Sequence, residues 1–122
     1  LRVQLGVHVL AMEYPGYGIY PGKPNAEAIL EDALNVWEYL TQVIGLDSKE
    51  IILFGRSLGS GPATELAAYV NPCALFLMTA YTSIRGVVKS VAGSLASFLI
   101  LERFINIENI KQVKCPTFLI HG

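Results

Sequence analysis

The sequence predicts an α/β fold in which a parallel sheet is flanked by helices, and three observations carry that expectation. Short apolar runs of strand length alternate at least three times with helix-length amphipathic segments, a pattern that favours parallel pairing through right-handed crossovers. The runs IILF, ALFLMT and CPTFLIH are continuously apolar instead of alternating, as suits strands covered by helices on both faces. A serine stands between two glycines where one of these runs meets a helix. The chain has 122 residues, 52% hydrophobic and 16% charged, which allows one well-filled core and one domain.

In chain order, residues 1–5 read as the last turn of a helix with Gly6 as its left-handed stop. Residues 7–12 read as a strand, followed by a loop rich in glycine and proline from Glu13 to Pro24. Asn25 is placed to cap a helix over 26–44, where Ile29, Ala33, Trp37, Leu40 and Ile44 recur at helical spacing, with Trp37 in the core. Glu31 and Asp32 are adjacent carboxylates on the polar face, and Gly45 ends the helix. A strand over 51–54 runs into Ser57 and a helix over 60–70. Asn71-Pro72 breaks the chain before a strand over 74–79. Ser83 caps a predicted helix over 84–91, and 94–104 continues as a second, very apolar helix of the kind that forms a lid over a site. A turn over 107–110 leads to a last strand over 115–121.

The chemistry concentrates at Gly55-Arg56-Ser57-Leu58-Gly59. A strand that becomes a helix within one or two residues forces its central residue into a strained backbone, and flanking glycines avoid the resulting collisions. Ser57 is then held out above the carboxyl end of the sheet as a nucleophile, with the Leu58 amide and the start of the helix facing an oxyanion. A tight turn with an inert serine is the bland alternative. Loops at the carboxyl ends of parallel strands line the ligand crevice, so Tyr14, Tyr17 and Tyr20 are candidates to offer hydroxyls to a substrate, against the simpler reading that they pack under the loop.

Composition excludes several classes. A net charge of −1 provides no basic field for nucleic acid or anionic lipid. The longest uncharged apolar stretch, residues 90–101, includes three serines and a glycine and is too short to span a bilayer. No secretory signal is legible, so an intracellular address is expected, cytoplasmic or peripherally membrane-associated. Cys73 and Cys115 match no metal spacing and read as buried, reduced thiols, each at the start of a strand. Because those strands are candidate neighbours, a disulfide is the alternative. No cofactor and no metal are implied by any His, Cys or carboxylate spacing.

EYPGYG, ILFGRSLGSGPATELAA and KCPTFLIHG, in this order, resemble the alpha/beta-hydrolase superfamily, and most closely the eukaryotic alpha/beta-hydrolase-domain subfamily that includes protein depalmitoylases. The resemblance extends over essentially the whole chain. It departs at Tyr20-Pro21-Gly22, where relatives carry Ser-x-Gly, and at Glu13, where aspartate is usual. It implies that Ser57 is the nucleophile, that the Leu58 amide is one oxyanion donor, and that the substrate is an ester or thioester, including that of a lipidated protein. Relatives place a second oxyanion donor in an upstream His-Gly loop. Their catalytic acid lies three residues past a pair like His121-Gly122, and their histidine further on. By this resemblance the 122 residues are the central portion of a single domain, a fragment without the rest of the triad. His8 is expected in a strand start at the far end of the sheet, and His121 to lead toward the acid. The expected function is therefore serine hydrolysis through an acyl-serine intermediate by the parent protein. The alternative is a non-catalytic partner-binding module or decayed paralogue, with the apolar 94–104 helix as its contact.

Overall fold

The computed structural model describes residues 2–83 and 104–121. The helices expected over 84–91 and 94–104 lie outside the described residues, apart from Phe104. Among the described residues, a three-stranded sheet has the order β1 (Ile52–Arg56), β2 (Ala74–Met78), β3 (Thr117–Ile120), all parallel. The register sets Phe54 opposite Phe76 and Phe76 opposite Phe118. The α-helices among the described residues are α1 (Arg2–Leu5), α2 (Ala26–Glu38), α3 (Ser60–Tyr69) and the short α4 (Asn106–Asn109).

Sequence dictates most of these boundaries. Gly6 and Gly45 adopt φ +65° and +80°, so both helix stops take the left-handed conformation that glycine permits. The Asn25 side chain accepts hydrogen bonds from the Glu27 amide at 2.9 Å and the Ala28 amide at 3.4 Å. Replacing it with alanine strands those donors, and Asn25→Ala is expected to lower unfolding free energy by about 1 kcal/mol while Asn25→Asp retains it. Urea denaturation measures both, and equal losses in the two variants would show that the cap is idle. The helix does not run evenly to Ile44: Tyr39–Val43 form a wider π turn, with Thr41 Oγ1 donating to the Trp37 carbonyl at 2.9 Å. Asp47 then opens a short turn over Ser48–Glu50 as a reciprocal cap with Glu50 and delivers the chain to β1.

The core lies between α3 and one face of the sheet. Ala63 and Ala67 of α3 meet Leu75, Leu77 and Cys115, with Leu53, Ile110 and Val113 packed around them. α2 adds Ile29 and Ala33 as its buried positions, while Trp37 is only half-buried. On the other face the described residues supply no covering helix. Ile52, Phe54, Phe118 and Ile120 are each more than half exposed there, and Phe76 stacks on Phe118 with ring centroids 4.7 Å apart.

Residues 7–12 are not a strand. A strand exists through its ladder, and among the described residues this segment has no pairing partner. Val7, Val9 and Leu10 are exposed accordingly. His8 is therefore an exposed residue of an irregular segment. Cys73 is also exposed, whereas Cys115 is buried, and both thiols are free.

Candidate active site

Ser57 follows β1 directly. Arg56 is still extended at φ −117°, and Ser57 turns to φ +48°, a left-handed conformation that costs a non-glycine residue roughly 1–2 kcal/mol. A tight turn over Ser57–Gly59 then leads into α3 at Ser60. The junction is that sharp because β1 and α3 touch. A Cβ on Gly55 would lie 2.6 Å from the Gly59 carbonyl oxygen and 2.8 Å from both Ala63 Cβ and Ser60 Cα. The second glycine has a different status, since a Cβ on Gly59 would meet only the Tyr14 hydroxyl, at an ordinary 3.5 Å. The sequence expectation that both glycines relieve collisions therefore holds at Gly55 and not at Gly59.

Buried polar groups brace the turn from beneath. Ser60 Oγ donates to the Ser57 carbonyl at 2.7 Å, and Thr64 Oγ1 donates to the Ser60 carbonyl at 2.7 Å. Asn106, from α4, donates through Nδ2 to Ser60 Oγ at 3.0 Å and to the Tyr81 carbonyl at 2.8 Å. Ser60 and Thr64 are fully buried and Asn106 nearly so. Ser57 itself stays exposed, so the brace fixes its backbone and leaves its side chain accessible. Sequence reading missed these residues. Ser60 and Thr64 had one signal, two small hydroxyls four apart on the inward face of an otherwise Ala-rich helix. Asn106 had none, because its partners are far away in sequence.

The structure divides the three loop tyrosines. Tyr14 brings its hydroxyl beside Gly59, and burial, then the neighbouring Tyr17, pushes its pKa up. Tyr17 packs edge-on against Tyr14 with centroids 6.0 Å apart and is 43% exposed. Tyr20 points away, donating to Asp32 at 3.3 Å on the surface. A fourth tyrosine, Tyr81, was not foreseen. Its hydroxyl is buried against Gly61 of α3 with no hydrogen-bond partner among the described residues, and burial first, then Tyr14 and Glu65, push its pKa up to about 12.

Leu58 is 45% exposed and its N–H belongs to the opening turn of the helical segment, where amides lack intrahelical acceptors. The carboxyl edge of the sheet extends sideways from Ser57. Arg56 is level with Met78, and Met78 with Ile120, so Ser57, Thr79 and His121 emerge side by side. Two strand spacings, about 10 Å, separate the backbones of Ser57 and His121. Thr79, between them, is also left-handed at φ +49° and donates its N–H to Ile120 at 2.8 Å. A β-branched residue in that region is a genuine outlier. Among the described residues, no group of His, Cys, Asp and Glu is placed to hold a metal ion.

No protein-family model matches the chain. It is 33% identical, over all of its 122 residues, to the alpha/beta hydrolase domain-containing protein aho-3 of Caenorhabditis elegans, of which it spans 36%. It is 31% identical, over 97% of its length, to the lysophosphatidylserine lipase ABHD12 of Danio rerio, of which it spans 35%. The chain thus covers little more than a third of these relatives. Its fold superimposes on an alpha-beta hydrolase from Vibrio vulnificus with a TM-score of 0.77 at 23% identity, over 87% of this chain and 43% of that one.

Proposed function

We propose that this chain, homologous along its whole length to alpha/beta-hydrolase-domain proteins and sharing the alpha/beta-hydrolase fold, carries the nucleophile of a serine hydrolase acting on ester or thioester bonds. The observation that carries the reading is Ser57 at φ +48° between β1 and α3. Ser57 Oγ attacks the acyl carbonyl as a base accepts its proton, and the oxyanion faces the Leu58 amide and the start of α3. The alcohol or thiol departs with a proton, and water then hydrolyses the acyl-serine. Tyr14 and Tyr17 form the adjoining wall of the substrate crevice. The acyl donor is a lipid ester or an acylated protein cysteine. In this reading the chain is the central part of a single domain, and the acid, the catalytic histidine and the second oxyanion donor come from the remainder of a longer protein.

The placement of the histidines supports a division of labour between this segment and the rest. The two histidines of the sequence, His8 and His121, stand respectively in an irregular exposed segment and two strands away from Ser57. A serine without a neighbouring base is a weak nucleophile at neutral pH. The 122-residue polypeptide alone is therefore expected to turn over p-nitrophenyl esters no faster than its Ser57→Ala variant, and robust Ser57-dependent turnover would make one of these histidines the base. No helix among the described residues is long and apolar enough to cross a membrane. The proposed protein works inside the cell, in the cytoplasm or at a membrane surface where acyl substrates lie.

A fluorophosphonate probe tests the assignment, because it labels serines activated by a base. The complete protein is expected to be labelled at Ser57. The open sheet face with Phe54, Phe118 and Ile120 favours the competing reading, a partner-binding module. A well-folded complete protein that refuses the probe and hydrolyses no acyl ester or thioester would establish that reading instead.

A further inference from the structure

Cys73 immediately precedes β2, and Cys115 stands just before β3. The ladder sets Leu75 opposite Thr117, and the Leu75 amide donates to the Pro116 carbonyl at 2.9 Å. Two residues before that pair stand Cys73 and Cys115, both at bends just outside the ladder, with the Cys73 amide donating to the Ile51 carbonyl at 2.8 Å. Neighbouring strands run about 4.8 Å apart, inside the roughly 4.4–6.8 Å window of Cα separations that a disulfide spans. Cys115 belongs to the same buried cluster as Leu75 and Leu77, on the helix-covered side of the sheet. Their proximity is felt electrostatically: Cys73 is among the charges that act on the Cys115 thiol.

The two thiols are unequal. Cys73 is exposed and Cys115 is 9% exposed. Burial pushes the Cys115 thiol up, and Lys49 offsets part of that rise. Lys49 Nζ donates to the Asn71 carbonyl at 3.3 Å, which holds that cation near the Cys115 sulfur. An accessible thiol beside a sheltered one is the arrangement of an attacking and a resolving cysteine.

We propose that Cys73 and Cys115 are a dithiol site for thiol–disulfide exchange with a small-molecule disulfide. The Cys73 thiolate attacks one sulfur of the small disulfide. A mixed disulfide forms, the small S–S bond breaks, and one small thiol leaves with the proton given up by Cys73. Cys115 then attacks the Cys73 sulfur, the internal S–S bond forms, and the second small thiol leaves with the proton from Cys115. Two protein thiols are oxidised and one disulfide is reduced to two thiols. The new bond ties the amino ends of β2 and β3, the end of the sheet away from Ser57, so the site is independent of the hydrolase reading.

Oxidised glutathione added to the reduced chain, with intact-mass and free-thiol measurements, tests the site. The wild type is expected to lose both thiols and the mass of two hydrogens, with the glutathione adduct only transient. Cys115→Ala, which keeps the buried position apolar, is expected to stop at one stable adduct on Cys73. Cys73→Ser is expected to react at least about tenfold more slowly, since only the sheltered thiol remains. In urea the internal disulfide should give way to persistent adducts, because pairing depends on the sheet register. A native wild type that accumulates stable adducts, or that leaves Cys73 unmodified, would overturn the proposal.

Discussion

In the complete protein proposed above, Ser57→Ala is expected to abolish fluorophosphonate labelling and to lower acyl ester or thioester turnover by about four to six orders of magnitude, the loss that follows when the nucleophile of an acyl-transfer site is removed. Stability should not follow activity. Ser57 is exposed, so removing its hydroxyl empties no core volume, and unfolding free energy should stay within about 0.5 kcal/mol. Ser57→Gly separates mechanism from architecture more sharply. Glycine adopts φ +48° without the Cβ penalty, so this variant should be equally dead yet more stable than the wild type by up to about 1 kcal/mol. A parent enzyme that keeps its activity in Ser57→Gly would remove Ser57 from the chemistry. One that loses stability would show that the left-handed turn is not strained.

What the sequence disclosed and what it withheld follow from the range of the interactions involved. The capped start of α2, its glycine stop, the three strands and the strand-to-helix turn at Ser57 are set by neighbours a few residues apart, and all were legible. Residues 7–12 have the same apolar character as the strands, yet strand formation needs a partner, and among the described residues none lies beside them. Continuously apolar strands suggested cover on both faces. The row Phe54, Phe76, Phe118 supplies that apolar character on a face that no helix among the described residues covers. The brace of Ser60, Thr64 and Asn106 was the least legible part. It joins α3 to α4 across a long stretch of chain, and a buried hydrogen bond leaves no periodicity to read. Tyr81 went unnoticed for a related reason, since its burial depends on the close passage of Gly61.

Gly55 and Gly59 look alike in the motif and should behave oppositely when each is replaced by alanine. At Gly55 the new methyl would press on the Gly59 carbonyl at 2.6 Å and on Ser60 Cα and Ala63 Cβ at 2.8 Å. Backbone atoms and an alanine methyl have no rotamer to escape into, so β1 and α3 must separate. Gly55→Ala is expected at the upper end of the about 1–3 kcal/mol cost of overpacking, lowering the midpoint of thermal unfolding by roughly 10 °C for a domain of this size. Because the same contact sets the angle of the Ser57 turn, activity should fall with it, even measured well below the unfolding midpoint. Gly59 has φ −66° and ψ −12°, which alanine adopts freely, and its nearest neighbour is the Tyr14 hydroxyl at 3.5 Å. Gly59→Ala should therefore be neutral or stabilising by up to about 0.5–1 kcal/mol, through the lower entropy of its unfolded chain. Differential scanning calorimetry of the pair decides the matter. Similar losses in both variants would mean that the motif's glycines act through a common flexibility and not through the contact between β1 and α3.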